Sequence, residues 1–158
     1  MEKFEDSTHY KEILLRGHYL TMAVDIDWIL LMIIAKCFVG NEQQIFEIYD
    51  KEVHELTLFE KIGTAQIGLL RYHPTFFHQH KEDFKLLNEL RGVRNKLGHG
   101  KIDWEENSKE NLIISEAKQT GIETSSYKFS ELFQSTIAYK DSLMNFLKVI
   151  QSFINLEN

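Results

Sequence analysis

Residues Trp28 to Val39 carry almost nothing but apolar side chains. A helix apolar on every side has to be buried, and about 12 residues fall well short of the roughly 20 that cross a bilayer. The run therefore reads as the inner half of a central bundle helix, with no membrane span. Ser7 or Thr8 can cap that helix and Gly40 can stop it, so it is expected to run from there to Val39. Ile13, Leu14, Leu20, Val24, Ile29, Leu30, Ile33 and Ile34 keep apolar groups at helical spacing along it. Asp25 and Asp27 interrupt the run, and a carboxylate turned inward needs a partner. Asp27 reads equally as a partly solvated carboxylate or as support for a functional arginine. Arg16 lies three turns earlier on nearly the same face.

The remaining chain has few helix breakers, with one proline in 158 residues. Glu42 to Leu56 is amphipathic, and Thr57-Leu58-Phe59-Glu60 has capping-box spacing, which predicts a further helix ending by His73 ahead of Pro74. His73 to His80 is expected to be a connection. A fourth helix is predicted from about Lys81 to Leu97, with Leu86, Leu90, Val93 and Leu97 as its core stripe. Helical periodicity then stops. Ile102-Asp103-Trp104 alternates, and Asn111 to Ala117 and Ile122 to Phe129 are strand-like around Gln119-Thr120-Gly121. A last helix is expected from Ser130, as cap, to about Leu156. The fold expected is all-α: one domain over residues 1–158, an antiparallel bundle of four to five helices with a small β-hairpin or irregular insertion before the last.

Charge is unevenly spread. From Arg71 to Lys101 there are seven Lys/Arg against three acids, hence +4, and elsewhere 11 against 21, hence −10. That basic segment ends in Arg91-Gly92-Val93-Arg94-Asn95-Lys96-Leu97-Gly98-His99-Gly100, a density of phosphate-capable and proton-capable groups that folding does not require. In a continuing helix His99 stands about 140° from Arg94. Gly98 and Gly100 permit the chain to leave helical geometry and swing His99 back. A purely structural reading also exists, because cations at a helix C-terminus complement its dipole and last carbonyls.

Arg94-Asn95 followed by His99 after four intervening residues resembles the signature of the HEPN superfamily, and Arg16-Gly17 with Asp27 is faintly similar to its mannitol-repressor-like branch. Many members have Ala where this chain has Gly98. The resemblance implies a helical bundle, a homodimer with two motifs facing one cleft, and metal-independent RNA cleavage. Arg94 would stabilise the phosphate and His99 would act as general acid or base, with Asn95 positioning the site. Arg91 and Lys96 would support it electrostatically, and Asp27, Gly98 and Gly100 structurally. The chemistry suits these residue types: histidine can move protons near neutrality, and arginine offers planar, permanently charged donors to phosphate oxygens. The same superfamily includes regulators and antitoxin partners without catalysis, which is the alternative reading.

Other classes have little support. His78-Gln79-His80 lacks a Cys or carboxylate set at ligand spacing, so no metal is expected. No glycine-rich loop follows a strand, and no Ser/His/Asp or Cys/His set has recognisable context, so no cofactor is expected. Cys37, the single cysteine, sits in the apolar run and suits a reducing compartment. Met1-Glu2-Lys3-Phe4-Glu5-Asp6 is too acidic for a signal peptide, and the expected location is cytoplasmic.

Overall fold

The computed structural model describes residues 7–38, 53 and 55–155. Among these the chain forms helices α1 (Thr8–Phe38), α2 (Leu58–Tyr72), α3 (Pro74–Gln79) and α4 (Lys81–His99). Strands β1 (Lys101–Trp104), β2 (Asn111–Lys118) and β3 (Gly121–Lys128) follow, then helix α5 (Phe129–Asn155). The architecture is mainly helical, with a small antiparallel sheet before the last helix. No described helix is long and apolar enough to cross a membrane. The helix expected over Glu42 to Leu56 lies almost wholly outside the described residues.

Several local signals act as the sequence dictates. Ser7 caps α1, its Oγ accepting from the Tyr10 amide at 3.1 Å. Thr57 and Glu60 form the reciprocal capping box of α2. Two expectations change. His73 to His80 is not an open connection: Pro74 starts a short helix, its fixed φ suiting the first helical turn. Ser130 is not the cap of α5 but lies in its first turn. Glu110 does the capping, its carbonyl accepting from the Phe129 amide at 2.7 Å and its carboxylate from the Ser130 amide at 3.0 Å.

The chain clusters into two compact units, residues Met1–Ala23 with Gly92–Asp141 and residues Val24–Arg91 with Ser142–Asn158. In the second unit, Ile26, Ile29, Leu30 and Ile33 of α1, Ile62, Ala65 and Leu69 of α2, Phe84, Leu87 and Leu90 of α4, and Leu143, Phe146 and Ile150 of α5 are buried. Asp27 there accepts from Lys61 Nζ through both carboxylate oxygens, at 2.8 and 2.9 Å. Lys61 is almost wholly buried, and the ion pair is what makes its charge tolerable inside.

In the first unit the buried residues are Leu15, Tyr19 and Met22 of α1, Leu97 of α4, Ile102, Leu112 and Ile114 of the sheet, and Thr136 of α5. Ile13 and Leu20 in this unit, and Val24 in the other, were candidates for the inward side of α1 yet stand more than half exposed. The buried seam runs at alternating steps of three and four residues through Leu15, Tyr19 and Met22 instead. The sheet is a meander in the order β1-β2-β3. Ile102 pairs with Ile114 across β1 and β2, and Lys118 with Gly121 across β2 and β3. The insertion therefore has three strands rather than two, because the four-residue β1 finds its partner in β2. Gly121, at φ 130°, supplies the conformation that closes the second hairpin.

Candidate functional site

The motif occupies the last turns of α4, within the first unit. Gly98 does not break the helix. The chain stays helical through His99, and the amide of Gly100 closes the last turn by donating to the Lys96 carbonyl at 2.7 Å. Gly100 is required by space: a Cβ there would run into the Lys96 carbonyl oxygen and lie 2.8 Å from Ile114 Cγ2. One residue thus separates the motif helix from β1. At Gly98, by contrast, a Cβ would meet nothing within 4 Å.

Arg16 of α1 fixes this helix end. Its Nη1 donates to the Leu97 carbonyl and its Nη2 to the Gly100 carbonyl, the latter at 3.1 Å. Glu12, one turn earlier, holds the guanidinium by accepting from Nε at 2.9 Å. A planar cation at a helix C-terminus satisfies carbonyls that have no partner within the helix and faces the negative end of its dipole.

The motif side chains distribute round the helix. Arg94 is half-buried, and its Nη1 donates to the exposed Asn95 Oδ1 at 3.0 Å. Its Nε is buried without a hydrogen-bond partner. Lys96 is half-buried, and its Nζ donates to the Tyr127 hydroxyl at 3.4 Å. His99 is exposed and has no side-chain partner among the described residues. With the helix unbroken, Arg94 and His99 point about 140° apart and are offset about 7.5 Å along the axis. The fold therefore brings Arg94 to Asn95 and Lys96 to β3, and leaves His99 apart from both.

Two further candidates belong to the other unit. Arg91 carries its guanidinium 4.7 Å from the centre of the Phe59 ring, a cation–π contact, and its Nε is buried without a partner. Asp27 serves Lys61 and, among the described residues, no arginine. Among the described residues there is no group of three or more His, Cys, Asp or Glu arranged to hold a metal ion.

Three side chains around the motif make contacts that the sequence did not signal. Arg16 stood out in the sequence, but its carbonyl partners, 81 and 84 residues away, did not. Tyr127 and Tyr19 carry no motif. Tyr19 is 2% exposed and its hydroxyl makes no well-formed hydrogen bond, the neighbouring Thr136 hydroxyl donating to the Leu132 carbonyl instead. Burial pushes the Tyr19 phenol above its ordinary pKa, Thr136 pulls it down, and Tyr139 and Tyr127 add to the rise.

Comparison with protein-family models, with curated proteins and with solved structures returns no match for this chain.

Proposed function

We propose that this chain is a HEPN-type endoribonuclease that works without a metal ion, possessing Arg94 as the phosphate-binding group and His99 as the proton-transfer group. The observation that carries the reading is the unpaired charge at the end of α4. Among the described residues no carboxylate pairs with Arg94, Lys96 or His99, although the chain has 24 acids to 18 Lys/Arg. Arg94 is steadied from one side by Asn95, and its remaining donors suit phosphate oxygens.

In the proposed reaction the ribose 2′-oxygen attacks phosphorus as its proton passes to neutral His99, and the P–O5′ bond breaks as the 5′-oxygen takes a proton back from the imidazolium so formed, directly or through water. The products are a 2′,3′-cyclic phosphate and a 5′-hydroxyl. Because Arg94 and His99 diverge on one helix, a complete site takes its arginine from one copy of the chain and its histidine from a second, in a homodimer. Purified protein is expected to cut RNA in EDTA, leaving cyclic phosphate ends, with Arg94→Ala and His99→Ala each inactive. An equimolar mixture of the two inactive variants is expected to regain part of the activity through mixed dimers. Failure to cut any of several RNAs sinks the proposal, and a mixture as dead as its components sinks the shared site.

The divergence of Arg94 and His99 also favours a second reading, a non-catalytic helical regulator or antitoxin partner. On that reading Arg94→Ala weakens assembly or stability, and RNA is never cut.

A further inference from the structure

The unit that carries the motif also holds an open cleft of about 590 Å³, lined among others by Tyr19, Val93, Asn111, Ser126, Tyr127 and Tyr139. Its size is that of a small-molecule site. Two features make it more than a gap between elements. Tyr19 lines it while 98% buried, and its hydroxyl makes no well-formed hydrogen bond, with Thr136 as the neighbouring hydroxyl. A buried phenol left in that state costs stability unless something entering the cleft completes it. The cleft is also joined to the motif helix, because Val93 of α4 is part of its wall and Lys96 donates to Tyr127 on it.

The charges there select an occupant. Lys128 and Glu131, both on the lining, pair with each other at 3.1 Å, and Glu105 accepts from the Asn111 side-chain Nδ2 at 2.9 Å. Lys96 is not part of the lining, but it donates to Tyr127 on it and has no carboxylate partner among the described residues. What the cleft offers is aromatic faces, neutral hydroxyl groups and, beside Tyr127, the Lys96 ammonium. The complement is a flat, neutral ring with mixed donors and acceptors on its edge, attached to an anion. A sugar would leave the rings unstacked, and an apolar ligand would leave the polar groups of the lining without partners.

We infer that this cleft seats one nucleotide of an RNA strand, its base against the tyrosines and its phosphate at Lys96. The occupant rests on the RNA reading of the motif; the cleft would sit beside the cleaved bond as a base-recognition subsite. Stacking on aromatic rings is tolerant of base identity, so the subsite biases the strand's position more than its sequence.

The test uses the full chain titrated with adenosine and uridine 3′-monophosphates, followed by backbone amide NMR and calorimetry. Saturable binding is expected, with the Ser126 and Ser135 amides among those that shift. Tyr139→Ala is expected to weaken it about tenfold, and Tyr127→Phe, which removes one hydroxyl and keeps the fold, roughly fivefold. Lys96→Gln is expected to abolish the advantage of a nucleotide over its nucleoside, whereas Lys148→Ala, an exposed cation elsewhere, leaves it unchanged. RNA cleavage without saturable mononucleotide binding overturns the cleft and spares the nuclease. Binding that ignores Tyr127→Phe, Tyr139→Ala and Lys96→Gln overturns the cleft too. Mononucleotide binding with no RNA ever cut supports the cleft and removes the nuclease.

Discussion

Gly98 and Gly100 stand two residues apart and do opposite things. Gly98 is an ordinary helical position with open space where a side chain would be. Gly98→Ala should therefore stabilise the fold by about 0.5–1 kcal/mol, the usual difference between the two residues inside a helix. Gly100 is hemmed in by the Lys96 carbonyl and Ile114. Gly100→Ala should cost about 1–3 kcal/mol as backbone and neighbours shift. Urea melts of the two variants beside the parent check both signs, and equal effects would mean that the helix end is not built as described. Arg16 is the third residue of this turn. Removing a guanidinium that serves two carbonyls, Arg16→Ala should cost about 2 kcal/mol, a typical value for hydrogen bonds to a charged donor. Arg16→Lys recovers the charge but not the fork, so an intermediate midpoint in the same melts is expected.

Among the elements, α5 shows how a helix start can depend on a residue 20 positions away. Glu110 accepts from the amide and hydroxyl of Ser130, and these bonds hold its carboxyl below the ordinary glutamate pKa. A carboxyl whose pKa is lowered by folding contributes stability above its unfolded value, and that contribution is lost as pH falls through the folded one. Thermal stability should therefore decline as pH drops below about 4.5. Glu110→Gln should flatten part of that decline and lower stability at pH 7 by about 1 kcal/mol, the usual worth of a cap. A pH profile indistinguishable from the parent's would contradict the assignment. The cap also explains why Ser130 looked like the start of the helix: its hydroxyl is used there, but as a donor to Glu110.

Over the whole molecule, what the sequence made legible was what neighbouring residues decide. The capping box at Thr57, the breaker at Pro74, the strand-like runs around Gly121 and the helix carrying the motif all follow from residues within a few positions of one another. What escaped was decided by distant partners. α1 has apolar residues on more than one side, so its periodicity offered Ile13, Leu20 and Val24 as readily as Leu15, Tyr19 and Met22. Whether His99 swings back depended on Arg16, which holds the helix-end carbonyls from elsewhere in the chain. The cluster itself was visible as a +4 segment in a chain of net charge −6. The divergence of its side chains was not.

The one-residue joint between α4 and β1 has a mechanical consequence. A hinge needs slack, and Gly100 has none: its amide closes the helix, its carbonyl is held by Arg16, and the next residue is already paired with Ser115. The first strand cannot peel away while the last helical turn holds, nor can that turn fray without loosening the strand. Local opening of the motif and of the meander is then one cooperative event, and anything that tightens the sheet slows the fraying of the turn bearing His99.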